Sequence, residues 1–354
     1  MPGAGEMNNY PWHEPQWNLV QERIDRLPQA MLIVADHGTG KLGFATRLAG
    51  LLLCETGGGA RPCHDCKACS MKDDGHHPDL HVVTKDAMNS AAYSFLGDHI
   101  YRYAPVDKQK KAGRSNTGNI IGVEPIRDVS KALQTTAARG GIRVCLIFPA
   151  ESLNINAANA LLKVLEEPKS GIYFVLLTSA LYRLPPTVRS RCSVLKLSSP
   201  SRGDAINWLA GIEGVERGLA QALLTYGFGP LEIQQIFQEG EPGKLAAFPV
   251  QVAGFVGRRD SADLIVSNLL EIGPRLDLRL IQQQIVKSHR IVVESEMSDY
   301  PLAEVLRVNF GMEDLNKLFT KIGRYLQWPA GAVDERLFLE DIAHSLCRPG
   351  AGGN

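Results

Sequence analysis

Four cysteines stand close together, and their spacing suits a metal ion. They span sixteen residues in a C-x8-C-x2-C-x2-C arrangement and are Cys54, Cys63, Cys66 and Cys69. Four thiolates can close a tetrahedron around Zn²⁺ and leave no open coordination position, so we predict a structural zinc rather than a catalytic one. Free thiols and an iron–sulfur cluster are the alternatives. The nearby His64, His76 and His77 are then not needed as ligands, and we expect them to face solvent.

The stretch ADHGTGKLG, which begins at Ala35, resembles a loop that holds ATP phosphates. A working loop reads GxxxxGK[ST]: its backbone amides and lysine bind the phosphates, and its hydroxyl binds Mg²⁺. Gly40 and Lys41 occupy the GK positions. Ala35 replaces the first glycine, however, and Leu42 replaces the hydroxyl residue. Asp36 also places a negative charge inside the loop, which disfavours a polyphosphate.

Hydrolysis would further require an acidic pair at the end of a neighbouring buried strand, one member for Mg²⁺ and one for the attacking water. The candidate strand lies in RVCLIFPAESL, and Phe148 and Pro149 occupy the two acidic positions. Glu151 lies two residues too far along. We therefore predict no hydrolysis and at most weak nucleotide binding through Gly40 and Lys41. The favoured interpretation is that the loop is kept because it joins a strand to a helix.

Two arginines in LPPTVRSRCSVL, Arg189 and Arg191, lie between a proline-bounded turn and a strand. They could form a salt bridge at the strand edge. Alternatively, one could reach the γ-phosphate of an ATP held by a neighbouring subunit. Hydrophobic periodicity does not distinguish between these two interpretations.

The elements that must position these residues follow from hydrophobic periodicity. About the first 200 residues alternate short β-type runs with helical patterns, which predicts a parallel α/β sheet. The predicted strands are Ala30–Val34, Val144–Phe148, Ile172–Thr178 and Val194–Leu197, with a further strand-like run in DLHVV. The predicted helices are Lys41–Leu53, Val123–Thr136 and Asn154–Glu167. After SSPSRGD, amphipathic helices dominate to the end of the chain.

Composition bounds the function classes. The chain has 354 residues, 44% of them apolar, with 38 basic and 38 acidic side chains. A neutral chain of this kind is not expected to bind nucleic acid strongly by itself. Residues 86–119 look like an insertion whose second part is basic, either a solvated loop or a contact with DNA phosphates. With no secretory signal and no run long enough to span a bilayer, we expect a cytoplasmic protein without membrane contact.

Four motifs occur in a characteristic order: CHDCKAC, HHPDL, NALLKVLEEP and RSRC. Together they resemble the clamp-loader subunits of bacterial DNA polymerase III, which open a ring-shaped sliding clamp and close it around primed DNA. The ATPase members of that family, gamma and tau, carry an intact phosphate loop and an acidic pair, which this chain lacks. The chain therefore resembles the ATPase-defective stator type of that family.

The resemblance implies three domains. They are an AAA+-like α/β domain at 1–199 with a zinc module at 54–69, a small helical lid at 200–243, and a helical collar at 244–354. It also implies that the four clustered cysteines hold Zn²⁺ and that Arg191 completes the ATP site of an adjacent gamma or tau subunit. The implied partners are gamma or tau, the delta subunit, the sliding clamp and primer–template DNA.

Two other functions remain open from the sequence. One is a P-loop ATPase that acts alone, against which Leu42, Phe148 and Pro149 argue. The other is a zinc-containing nucleic-acid-binding module, against which the neutral charge and the closed metal site argue.

Overall fold

The chain divides into two compact units, Met1–Pro200 and Ser201–Asn354. The computed structural model describes residues 10–56, 61–85, 91–103, 120–139, 141–258, 262–272, 274–290, 300–327 and 334–347. The first unit contains a parallel sheet with helices, and the described part of the second unit is helical. The predicted succession of an α/β fold and an all-α fold is confirmed.

Five parallel strands form the sheet of the first unit. In chain order they are β1 (Ala30–Val34), β2 (Leu80–Thr84), β3 (Arg143–Phe148), β4 (Ile172–Thr178) and β5 (Ser193–Lys196). In space the order is β2-β3-β4-β1-β5, so β1 lies between β4 and β5. The loop that follows β1 therefore leaves the interior of the sheet at its carboxyl edge, where open α/β sheets bind their ligands.

Helices cover both faces of this sheet. They are α1 (Glu14–Glu22), α2 (Lys41–Leu53), α3 (Lys67–Asp73), α4 (Val123–Ala132), α5 (Ile155–Glu166) and α6 (Pro186–Arg189). On one face, Trp17 of α1 and Phe44 of α2 pack with Ile33 of β1. On the other face, Leu161 of α5 packs with Leu32, the residue before Ile33. Alternate strand residues thus feed two apolar clusters, which explains why the strands read as continuous apolar runs.

Helix α4 ends at Ala132, four residues earlier than its predicted end at Thr136. The side chain of Arg143, at the start of β3, donates hydrogen bonds to the carbonyl oxygens of Leu133 and Thr135. A buried guanidinium thus occupies the place where further helical turns would continue. Periodicity within α4 could not predict an end set by a residue from the sheet.

Part of the predicted insertion at 86–119 is packed into the first unit. Residues Ala91–Tyr101 form 3₁₀ turns with a kink at Gly97, and Leu96 and Ile100 are buried. A Cβ added to Gly75 would lie 2.5 Å from the Gly97 Cα, so this close approach requires glycine. The basic part of the insertion lies outside the described residues.

The second unit is built from helices around one apolar core. They are α7 (Arg202–Ala210), α8 (Arg217–Thr225), α9 (Pro230–Glu239), α10 (Pro242–Arg258), α11 (Ala262–Ile272), α12 (Pro274–Arg290), α13 (Pro301–Asn309), α14 (Met312–Gln327) and α15 (Glu335–Cys347). The predicted boundary between 243 and 244 falls in the first turn of α10. The division of this unit into a lid and a collar stays a prediction. Among the described residues, none of the helices is long and apolar enough to cross a membrane.

Candidate functional site

The four clustered cysteines come together at the junction of α2 and α3. Cys54 follows the last residue of α2, Cys66 caps the start of α3, and Cys69 lies in the first turn of α3. All four sulfur atoms lie within 4.8 Å of one another, and Cys63 Sγ lies 3.9 Å from Cys69 Sγ. Zn–S bonds of about 2.3 Å in a tetrahedron require S···S distances of about 3.8 Å. The donor set and its spacing therefore fit Zn²⁺.

Hydrogen bonds to the sulfur atoms favour the thiolate form that a metal requires. The backbone amide of Cys66 donates to Cys63 Sγ over 3.3 Å, and that of Cys69 donates to Cys66 Sγ over 3.4 Å. The Thr56 hydroxyl also donates to Cys63 Sγ, at 3.1 Å, and this bond together with the backbone hydrogen bonds to the same sulfur lowers the pKa of Cys63 to about 6. Burial raises the pKa of Cys69. One thiol is thus already prepared to ionise before a metal binds.

The cysteine cluster is fixed to the sheet domain by charged contacts. Glu55, which follows the first cysteine, forms an ion pair with Arg139 at 2.7 Å. The backbone amides of Ala138 and Arg139 each donate to a carboxylate oxygen of Asp79, both at 2.8 Å. Because Asp79 directly precedes β2, these bonds couple the cluster to the start of that strand.

The histidines near the cluster do not all face solvent, and the expectation for His77 is wrong. His64 and His76 are exposed, but His77 is only 1% exposed. Its Nδ1 accepts a hydrogen bond from the Asp79 amide, and its own amide donates to Nε2 of His99. Burial lowers the pKa of His77, which favours the neutral ring. It is a packing residue of the HHPDL turn.

The phosphate-type loop joins β1 to α2 as predicted, but aromatic side chains fill its surroundings. Gly40 has a φ of 97°, and a Cβ added there would lie 2.3 Å from the ring of Tyr10. The Trp12 indole donates from Nε1 to the carbonyl oxygen of Thr39 over 2.8 Å. Tyr10 also stacks on Trp12, with 5.4 Å between ring centroids. Residues that precede α1 therefore cover the loop at its glycine.

The charged side chains of the loop form hydrogen bonds with other groups of the protein. Lys41 Nζ donates to the carbonyl oxygen of Asp36 over 3.2 Å, and so does the Thr39 hydroxyl over 2.9 Å. The Asp36 carboxylate accepts a 2.6 Å hydrogen bond from Ser199, near the end of this unit. In a working loop the lysine would reach the phosphates. Here Lys41 instead bonds to the backbone of Asp36, whose own side chain is acidic.

The positions that would bind magnesium carry carbon side chains. Leu42 is half-buried against the apolar cluster of the sheet, and Phe148, at the end of β3, is 5% exposed in the same cluster. Pro149 follows it. The nearest acidic residue along the chain, Glu151, accepts a hydrogen bond from the Ser179 amide at 3.2 Å. The residues present do not fit Mg²⁺–ATP, because none of the three positions supplies a metal-binding oxygen.

Arg191 lies between α6 and β5, with a third of its side chain exposed. Its Nη1 donates to the Thr187 carbonyl oxygen over 3.0 Å, and its Nη2 pairs with the carboxylate of Glu166, the last residue of α5. Arg189 is exposed, and its side chain makes no hydrogen bond or ion pair with any described residue. The structure thus distinguishes two arginines that the sequence treats alike.

Three residues of this site were not predicted. Tyr10 and Trp12 act on a loop about 30 residues away in the sequence, and no local pattern indicates such a contact. Glu166 does carry a signal, since a carboxylate at the carboxyl end of a helix opposes the helix dipole and calls for another explanation. Its partner could not be identified without the fold.

The fold and the site together define a class. A parallel sheet with a glycine–lysine loop after its first strand is the architecture of P-loop nucleoside triphosphatases, here with carbon side chains at the magnesium positions. The family model described as DNA polymerase III, delta subunit, matches residues 13–201, more than half of the chain. The chain belongs to this family.

Two curated relatives are named DNA polymerase III subunit delta′. The protein of Pseudomonas aeruginosa is 32% identical over 233 residues, which cover 65% of this chain and 62% of the relative. The protein of Haemophilus influenzae is 30% identical over 259 residues, which cover 72% of this chain and 70% of the relative. The matched region thus spans less than two thirds of the first relative.

A solved structure of a DNA polymerase III gamma subunit-related protein from Thermotoga maritima is also similar. It is 16% identical, with 94% of this chain and 99% of that chain covered, at a TM-score of 0.41. A likeness this slight adds nothing to the assignment of the family.

Proposed function

We propose that the chain is a delta′-type stator subunit of a DNA polymerase III clamp loader. It would not hydrolyse ATP itself but would supply Arg191 to the ATP site of a neighbouring gamma or tau subunit. Its partners would be gamma or tau and delta, with the sliding clamp and primer–template DNA contacted through the assembled complex in the cytoplasm. The names of the delta′ relatives support the complex to which it belongs.

One observation carries the proposal of a non-hydrolysing role: the magnesium positions of the loop and of β3 are occupied by Leu42 and Phe148, which pack in an apolar cluster. A chain built this way has no means to activate water on its own nucleotide. The cover of Tyr10 over Gly40 and the bond from Lys41 to its own loop also disfavour nucleotide entry.

The proposed zinc has a structural role. Four sulfur ligands leave no site for a substrate, and the ligands join the end of α2 to the start of α3. We further propose the division at 200–243 and 244–354 into a lid and a collar, in which the collar would carry the contacts between subunits. Zinc binding and assembly are separate properties that can be measured independently.

The exposure of Arg191 supports its action on a neighbour. Its guanidinium is fixed by two contacts yet a third of the side chain remains exposed. Arg189, two residues before Arg191, is also exposed. Exposed guanidinium groups are the side chains that would pair with a phosphate carried by a partner.

The test is ATP turnover by the clamp loader reconstituted with gamma or tau and delta. Arg191→Ala should lower turnover at the ATP site that this chain completes by about 10³-fold or more, because arginine fingers contribute about 10³–10⁵ in rate. Arg191→Lys should not restore it, since lysine lacks the planar pair of donors. Arg189→Ala is the matched control and should leave turnover unchanged.

Two results would contradict the proposal. The first is full turnover by the complex that contains Arg191→Ala. The second is magnesium-dependent ATP hydrolysis by the purified chain alone that is lost in Lys41→Ala, which would instead support a stand-alone ATPase.

A further inference from the structure

The carboxylate of Glu166 is the only acidic group among the described residues that pairs with Arg191, and it comes from a different element of the fold. Glu166 ends α5, whereas Arg191 follows α6, 25 residues later. The two side chains are 48% and 33% exposed. An ion pair this exposed contributes little to folding stability.

Helix stability does not explain a carboxylate at this place. The carboxyl end of a helix carries partial negative charge, so acidic side chains are disfavoured there. Glu166 and Glu167 nevertheless stand side by side at the end of α5. Glu167 is exposed and makes no hydrogen bond or ion pair with any described residue. Only the first of the two therefore has a structural partner, and that partner is Arg191.

The contacts of Arg191 leave part of its guanidinium available. A guanidinium has five N–H donors. Nη1 uses one for the Thr187 carbonyl, and Nη2 uses one for Glu166. The Nε atom is buried without a hydrogen-bond partner. One N–H on each terminal nitrogen is left, and two such donors match the bidentate geometry in which arginine binds phosphate.

We infer that Glu166 is a positioning residue for Arg191, holding the guanidinium in place for a phosphate on a neighbouring subunit. The inference rests on the proposed role of Arg191. A free arginine samples many rotamers, and their loss on binding opposes the reaction. Holding the side chain by Glu166 and by the Thr187 carbonyl removes that cost before the partner arrives. The phosphate can then be bound without breaking either contact.

The test compares variants of the full chain in the reconstituted clamp loader. Glu166→Ala should lower kcat at the completed site about tenfold, in the range typical of residues that orient a functional group. The KM for ATP and the assembly of the complex should not change. Glu166→Gln keeps an acceptor oxygen and should lower kcat by less than Glu166→Ala does. Glu167→Ala removes the same charge from the adjacent residue and should have no effect.

A double variant separates this inference from the proposed function. If Glu166 acts through Arg191, adding Glu166→Ala to Arg191→Ala should lower turnover no further. If Glu166→Ala lowers kcat by the same factor with Arg191 present and with Arg191→Ala, Glu166 acts elsewhere. If Glu166→Ala alone leaves kcat normal or raises it, Glu166 does not position the arginine. Either result would overturn the inference. If Arg191→Ala itself has no effect, the proposed function fails instead.

Discussion

Phe148 offers the sharpest test of the idea that apolar packing has replaced the magnesium site. The change is Phe148→Asp, which returns a carboxylate to the end of β3 where a hydrolase of this architecture needs one. Phe148 is 5% exposed in the cluster that also contains Trp17 and Leu146. We expect the variant to lose stability and to gain no activity.

The size of the effect follows from this burial. Truncating a buried phenylalanine costs about 3–5 kcal/mol. Burying a polar group without a partner adds about 1–3 kcal/mol, and a carboxylate in such a place is expected to take up a proton. The combined loss of about 4–8 kcal/mol is a large part of the roughly 5–15 kcal/mol that typically stabilises a domain.

Urea unfolding of the full chain measures this loss. Tryptophan fluorescence reports on the first unit through Trp12 and Trp17, which lie near the loop and in the same cluster as Phe148. With a slope of about 2–3 kcal/mol per molar urea, the midpoint should fall by roughly 1.3–4 M. Phe148→Leu keeps most of the apolar volume and should lower the midpoint by less than about 1 M.

Two outcomes would refute the reasoning. An unchanged urea midpoint for Phe148→Asp would mean that the ring is not packed as described. Magnesium-dependent hydrolysis by the double variant Leu42→Thr with Phe148→Asp would mean that the rest of the nucleotide site is intact, despite the aromatic cover of the loop.

The remaining predictions concern the metal and the helical unit. Cys69→Ser should reduce bound zinc, measured by mass spectrometry, from about one ion per chain to well below it, because Cys69 is 2% exposed within the cluster; Cys347→Ser, outside the cluster, should retain the metal. Asp277 on α12 is fully buried, and burial raises its pKa to about 8. The folded state thus holds a proton that the unfolded state releases near pH 4, so stability should fall as pH rises from about 4 to 8. Asp277→Asn should remove this part of the pH dependence, and parallel curves for the two proteins would contradict the assignment.

The sequence predicts most of the sheet well because strands β1 to β4 are almost entirely buried, whereas β5 is largely exposed. Runs such as Ala30–Val34 and Ile172–Thr178 are continuous and apolar, and the structure assigns the same limits. The Lys41–Leu53 helix also has its predicted limits. The limits of these strands and of this helix are set by residues that lie close together in the sequence. The end of α4, by contrast, depends on Arg143 from β3, which periodicity within the helix cannot anticipate.

In the site, too, the sequence predicts what residues close together in the chain determine, and it does not predict contacts between distant residues. The gathering of the cysteines follows from spacing, because the four lie within sixteen residues. The contact between Tyr10 and Gly40 and the pairing of Glu166 with Arg191 join residues far apart in the chain. Side-chain chemistry alone did not indicate these contacts, which only the folded sheet brings about.

The retained glycine and lysine of the loop have a physical explanation that does not involve nucleotide. Gly40 adopts a left-handed conformation directly before α2, and the Tyr10 ring fills the space that a side chain would need. Substituting Gly40 would therefore strain the backbone and displace a buried aromatic residue. Lys41 bonds to the carbonyl of Asp36 within the same loop. The shape of the loop is thus stabilised by packing and local bonds that need no nucleotide, even though carbon side chains occupy its magnesium positions.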